Sequence, residues 1–205
     1  YKYLFNYHNA DLPGQRGAAC HSWGIMMKKK ISSLNIHLVE KEFDIGNIVI
    51  TKKYELGNSR SNLNSIYKTL KKEKKNFFNQ FFSNFFNNIL GRIIQDNKKS
   101  FYWPKLIQKK NSYVDWNWSA ENIRVFCNAF DNPFKGITAI YKKTKILLHG
   151  ARLADRKIIF HPFQYGMIYR KFNKKLYVAT CEGGISFKLR NVDFKKIKLG
   201  YKFYN

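Results

Sequence analysis

The chain is poor in the residues that build covalent or metal-bound frameworks. Its three cysteines, Cys20, Cys127 and Cys181, stand far apart. An odd, sparse count excludes a disulfide scaffold, and the spacing matches no metal-ligand pattern. It fits a reducing, cytoplasmic setting, with Cys181 as a packed small hydrophobe. No apolar run is long enough to cross a bilayer, and no secretory-signal pattern is present. No activated Ser or Cys motif and no Gly-rich phosphate loop stands out. Acidic residues are scarce: 13 Asp and Glu face 38 Lys and Arg, for a net charge of +25.

What is present is aromatic and basic. Eighteen Phe and 13 Tyr argue against disorder, and 44% hydrophobic content is enough for a core. A length of 205 residues allows one large or two small domains. The charge divides into +10 for residues 1–100 and +15 for 101–205. One reading is an anionic partner such as tRNA, a sugar nucleotide or a polyglutamylated folate. The other is compositional. Lys greatly outnumbers Arg and is scattered, while Asn, Ile, Phe and Tyr are abundant, as an A/T-biased genome would produce.

The informative stretch is the opening one, Phe5 to Gly17. Tyr3, Leu4 and Phe5 suit a buried strand. Residues i and i+2 share a strand face, so Asn6 and His8 point the same way. The Pro13-Gly14 turn and Gly17 then carry the backbone around that pair. Thirty-eight residues beyond Asn6 stands Asp44, followed by Gly46 and Ile48.

The ordered pattern Asn6-x-His8, Leu12-Pro13, Arg16-Gly17 and Asp44-x-Gly46-x-Ile48 resembles the folate-dependent formyltransferase family. Asn9-Ala10-Asp11 and Asn47 depart from the family pattern without touching the trio. The resemblance implies catalytic roles for Asn6, His8 and Asp44, and folate contacts from Glu40, Lys41, Glu42, Phe43 and Asp44. It implies 10-formyltetrahydrofolate as co-substrate and no metal. It also implies an upstream nucleotide-binding-like segment that this chain lacks. The chain is therefore expected to be N-terminally truncated and inactive alone.

Further along, His21 to Met27 reads as a helix with Trp23, Met26 and Met27 in the core and His21 capping it or facing solvent. Leu34 to Val39 alternates as a strand, and Ile48 to Thr51 is another, with Glu40 to Ile45 as the loop delivering Asp44. Residues 59–88 carry helical signals, with Ser61 or Asn62 as the cap. Phe77-Phe78, Phe81-Phe82 and Phe85-Phe86 recur every four residues, a broad stripe suited to packing on a sheet. Residues 95–113 read as a polar linker.

Ser119 caps a short helix containing Ile123, Val125, Phe126 and Phe130. Asn132-Pro133-Phe134-Lys135-Gly136 ends it. Short strands follow over 139–141, 146–149, 166–169, 176–180 and 185–189, with turns at 142–143, 173–174 and 183–184. Asp115-Trp116, Asp131 to Phe134 and Gly136 again resemble the family. The expected fold is α/β: the C-terminal half of a Rossmann-like formyltransferase catalytic domain (1–94), a linker (95–113), and a small OB-like β-barrel domain (114–205).

Three acceptors are consistent with the resemblance. Glycinamide ribonucleotide is disfavoured because enzymes acting on it generally lack the C-terminal β domain. His37 resembles sugar- and nucleotide-directed relatives, as does the stretch Phe160 to Gly166. A nucleotide-linked amino sugar for surface polysaccharide is therefore favoured over initiator methionyl-tRNA, which the basic C-terminal half would suit.

Overall fold

The computed structural model describes residues 3–57 and 62–204. It divides into two compact units: the described residues of 1–61 and 65–106, and those of 62–64 and 107–205. Together they form a mixed α/β fold.

The first unit runs β1 (Phe5–His8), β2 (Arg16–Gly17), α1 (Cys20–Met26), β3 (Ile31–Leu38), β4 (Ile48–Glu55), α2 (Leu63–Phe86) and β5 (Tyr102–Trp103). Strands β1, β3 and β4 form an antiparallel sheet in that order, and β2 pairs in parallel with β5. Strand alternation sets everything else. Phe5 and Tyr7 turn to α2, where Phe5 meets Phe81 edge-on at 5.3 Å and Tyr7 lies 4.9 Å from Phe78. Asn6 and His8 therefore face the other way. On β3, Leu34 and Ile36 are buried on one face and Asn35 and His37 on the other.

The phenylalanine repeat divides its labour. Phe77 and Phe81 are buried, whereas Phe82 and Phe86 are exposed. Residues four apart advance by slightly more than one helical turn, so one member of each pair stays on the sheet side. Helix α2 starts at Leu63, directly after Asn62, while 59–61 lie outside the described residues. Two readings of the first helix need correction. Its buried residues are Ser22, Gly24 and Ile25, while Met27 is exposed. His21 neither caps nor faces solvent: its ring packs edge-on against Tyr67 at 5.6 Å, and Nε2 lies 3.3 Å from the Tyr54 hydroxyl. Ala19, in a left-handed conformation, starts the helix instead.

The second unit comprises α3 (Gln108–Asn111), α4 (Ala120–Phe130), β6 (Ile137–Tyr141), β7 (Thr144–Ala154), β8 (Ile168–Phe172), β9 (Lys175–Ala179) and β10 (Gly184–Leu189). The five strands make one antiparallel sheet ordered β6-β7-β10-β9-β8. Single bridges join Tyr204 to Ile140 and Lys202 to Met167, so the C-terminal segment meets the chain at both edge strands. Ser119 caps α4, its Oγ accepting from Asn122 N at 3.2 Å. The hairpin turns at Lys142-Lys143 and Asn173-Lys174 hold both residues at positive φ, the backbone twist that two-residue hairpins need.

Trp116 is the centre of this core. It stacks on Phe203 at 5.4 Å and meets Phe187 edge-on at 6.1 Å. Gly166, at φ 83°, lies where a Cβ would press on the indole and on the Phe203 carbonyl. Truncating so large a buried ring typically costs about 3–5 kcal/mol. Trp116→Ala is expected to lower the stability of the second unit by about that amount in chemical denaturation.

His21 gives a pH prediction. Burial, helped by Lys74 and His8, lowers its pKa from 6.5 to about 4. Between those values the unfolded chain binds a proton that the folded chain refuses, so stability falls as pH falls through that window. The melting temperature is expected to drop between pH 7 and pH 5, and to drop less in a folded His21→Gln variant.

Candidate functional site

The site is built where β1 and β3 lie side by side. Asn6 pairs with His37 across the sheet, and His8 pairs with Asn35. Asp44 arrives from the loop after β3 in a left-handed conformation, φ 58°. Non-glycine residues rarely adopt it without compensation. Here the compensation is visible. Gln95 Nε2 donates to the carbonyls of Asp44 at 2.8 Å and Gly46 at 2.7 Å. Gly17 N donates to Asp44 Oδ2 at 2.8 Å. Gly17 and Gly46 are required as glycines, because a Cβ would overlap the Trp103 carbonyl and the Leu38 carbonyl respectively.

Asp44 Oδ1 is the meeting point. Asn6 Nδ2 donates to it at 3.1 Å, His37 Nε2 lies 3.3 Å away and His8 Nδ1 lies 3.6 Å away. Each imidazole is pinned by its other nitrogen. His8 Nε2–H donates to the Gln15 carbonyl at 2.7 Å, and His37 Nδ1–H donates to the Leu38 carbonyl at 2.8 Å. A carbonyl only accepts, so each bond fixes the tautomer. In the neutral rings, the free lone pairs of His8 Nδ1 and His37 Nε2 both face one carboxylate oxygen. Asn6 Nδ2 also reaches His37 Nε2, at 3.1 Å.

The charges follow from this geometry. Burial alone would raise the Asp44 pKa. A hydrogen bond from His37 Nε2 when that ring carries its second proton, the Gly17 N–H and the positive charge of protonated imidazoles outweigh it and hold the carboxyl below its ordinary value. His8 is lowered, chiefly by burial, with His37 adding, against opposing help from Asp44 and the Gln15 carbonyl. The region therefore holds an ionised carboxylate and a neutral imidazole at neutral pH.

The loop residues Glu40, Lys41, Glu42, Phe43 and Asp44 line one cavity of about 260 Å³ together with Asn6, His37 and Val39. His8 sits behind it, buried, and does not line it. The cavity offers amide donors, carboxylate acceptors and the exposed ring of Phe43, a donor set that fits a polar, planar heterocycle. Among the described residues, no group of three His, Cys, Asp or Glu is placed to hold a metal, and no helix is long and apolar enough to cross a membrane.

Two members of this region were hidden in the sequence. His37 appeared only as a marker of acceptor type, yet it touches both Asn6 and Asp44. Its burial on β3, opposite Asn6, depends on strand register that spacing alone does not give. Gln95, read as the start of a polar linker, is 7% exposed and braces the Asp44 loop. No local signal distinguishes it from other polar linker residues, because its partners lie about 50 residues away.

Comparison with known proteins shows what the chain is similar to. The family model for the formyl transferase C-terminal domain matches residues 106–204. The bifunctional polymyxin resistance protein ArnA of Wigglesworthia glossinidia brevipalpis is 25% identical over 150 residues, covering 73% of this chain and 23% of ArnA. A methionyl-tRNA formyltransferase of Fervidobacterium nodosum is 28% identical over 148 residues, covering 72% of this chain and 46% of that enzyme. The chain thus spans half or less of the length of these two curated relatives. The structure of an N-formyltransferase from Helicobacter canadensis, solved with folinic acid and dTDP-3-aminofucose, superposes with a TM-score of 0.68. It is 18% identical and is covered over 66% of its length and 91% of this chain. Residues 106–204 thus match the formyl transferase C-terminal domain, and the chain as a whole is similar to formyltransferases in sequence and fold.

Proposed function

We propose that this chain carries the transfer centre of an enzyme that moves a formyl group from 10-formyltetrahydrofolate to a primary amine. In this reading residues 1–94 are part of a Rossmann-like catalytic domain, 95–113 cross over, and 114–205 form an OB-like β domain. The observation that carries it is the convergence of Asn6, His8 and His37 on Asp44 Oδ1.

Formyl transfer joins the amine nitrogen to the formyl carbon and breaks that carbon's bond to the folate nitrogen. The amine gives up a proton, and the departing nitrogen gains one. Negative charge builds on the formyl oxygen, where an Asn6 amide hydrogen can be directed once it leaves His37. Loss of such a donor typically costs on the order of 3 kcal/mol in the barrier. The proton passes to an imidazole nitrogen whose lone pair is already presented. Asp44 stabilises the resulting cation, because its carboxylate faces the same nitrogen. The pinned N–H groups of His8 and His37 keep those lone pairs directed inward. Glu40, Lys41, Glu42 and Phe43 supply the cavity wall for the folate.

For the acceptor, a nucleotide-linked amino sugar is favoured, a reading supported by His37 beside Asn6 and Asp44 and by fold neighbours such as the Helicobacter canadensis enzyme. A second reading, initiator methionyl-tRNA, draws on relatives such as the Fervidobacterium nodosum enzyme and on the basic second unit. There Glu121 and Asp155 are already committed to Arg124 and Arg170, leaving many lysines for phosphates. The site lies in a cytoplasmic enzyme in either case.

The test is a product assay with 10-formyltetrahydrofolate and a panel of amines. Formyl transfer to a nucleotide amino sugar is expected, without transfer to methionyl-tRNA. RNA affinity that falls steeply with salt, coupled to formylation of methionyl-tRNA, would move the assignment to the second reading.

In the active enzyme, His8→Ala is expected to lower turnover by about 10²- to 10⁴-fold while circular dichroism shows a folded chain. Because His8 is held below its ordinary pKa of 6.5, the acid limb of wild-type turnover is expected below pH 6.5. Near-wild-type turnover of folded His8→Ala, with loss in His37→Ala, would place the proton on His37 instead.

A further inference from the structure

Next to the cavity that reaches Asn6 and Asp44 lies a second one of about 450 Å³, lined by Arg16, Lys41, Glu42, Phe43, Ile45, Ser100 and Tyr102. The two share Lys41, Glu42 and Phe43 as walls. Arg16 is the unusual member. It is only 7% exposed, yet its Nε and Nη2 reach neutral amide oxygens alone: Gln95 Oε1 at 3.1 and 3.0 Å and Asn97 Oδ1 at 2.9 Å. Among the described residues no carboxylate lies within ion-pair distance of it. Glu42 lines the same cavity, but its carboxylate is exposed and pairs with neither Arg16 nor Lys41.

A buried guanidinium without a counter-charge is costly unless an anion completes its surroundings. Its planar fork suits carboxylate and phosphate oxygens. Lys41 stands exposed on the same wall, and Phe43 and Tyr102 offer aromatic faces, 79% and 61% exposed. We propose that Arg16 and Lys41 form an anion-binding station beside the transfer centre, which takes the oxyanion of a substrate whose reactive end sits at Asn6 and Asp44.

Two sources have this chemistry: the glutamate carboxylates of the folate tail, and the phosphates of a nucleotide-linked acceptor. Naming these sources rests on the formyl-transfer reading; the anion site itself does not. Arg16 is also a positioning residue. Its fork holds Gln95, and Gln95 holds the Asp44 backbone, so an anion at Arg16 is one hydrogen-bonded residue away from the catalytic carboxylate.

The test is binding by calorimetry to the full 205-residue chain, without any turnover, so its failure and a failure of formyl transfer are separate results. The probes are p-aminobenzoyl-L-glutamate and inorganic pyrophosphate, each at low and high sodium chloride. Saturable binding of at least one probe is expected, weaker at high salt. Arg16→Gln is expected to raise its Kd by about tenfold or more. Lys41→Gln, at an exposed position, is expected to raise it by about two- to fivefold. Preference for the aryl glutamate would assign the site to the folate tail, and preference for pyrophosphate to the acceptor. If Arg16→Gln melts well below the parent chain, Lys41→Gln alone decides. Absence of saturable binding by both probes, or unchanged binding in the folded variants, overturns the proposal.

Discussion

The first unit depends on how one carboxylate is held. Asp44 sits in a left-handed backbone conformation, uncommon outside glycine though Asp tolerates it better than most, and three separate segments hold it there. Gln95 binds its carbonyl, Gly17 binds one carboxylate oxygen, and Asn6 binds the other. Because Gly17 belongs to the short β2–β5 pairing, that two-residue ladder serves the site as well as the fold. The tight approaches at Gly17 and Gly46 are the steric cost of bringing these segments together.

In this arrangement backbone carbonyls set the orientation of both imidazoles. Neither His8 nor His37 depends on Asp44 for its orientation. The carbonyls of Gln15 and Leu38 hold the rings, which leaves Asp44 free to face the two open nitrogens. A carboxylate placed against an imidazole lone pair gains most when that nitrogen takes a proton. For His8, which burial keeps neutral at rest, the geometry thus stabilises a protonated state that the resting ring does not hold. Asn35 and Ser33 contribute from beneath by binding the Ala10 carbonyl, which secures the loop leaving His8.

The second unit obeys a different constraint. Its sheet is antiparallel, its core is centred on Trp116, and its surface is strongly basic. Of its carboxylates, Glu121 and Asp155 neutralise arginines, and Asp131 instead accepts from Gly150 N at 3.0 Å. Most of the positive charge in this unit is therefore left without a carboxylate partner, while the clustered Asn6, His8, His37 and Asp44 all lie in the first unit.

Local sequence was enough for features governed by short-range rules. The Asn6-x-His8 pairing followed from the two-residue strand period, and the hairpins at 142–143 and 173–174 followed from turn chemistry, whereas the turn expected at 183–184 lies at 180–183, with Gly184 already in β10. The Ser119 cap followed from its hydroxyl beside the first helical N–H groups, and the resemblance to formyltransferases was legible in the ordered motif from Asn6 to Ile48. What local rules could not supply was anything set by long-range register. His37 joins the site because β3 pairs antiparallel with β1, and a one-residue slip would have turned it away. Gln95 and Arg16 join it because the segment after α2 returns to bridge Ile93 to Ile48, 45 residues apart in sequence. Met27 and His21 exchanged their expected environments because the side of a short helix that is buried depends on its neighbours, which periodicity over seven residues does not reveal. Sequence order determined which polar residues stand near one another; tertiary packing decided which nitrogen of each imidazole faces the carboxylate, because the Gln15 and Leu38 carbonyls, though near in sequence, reach the other nitrogen only in the folded backbone.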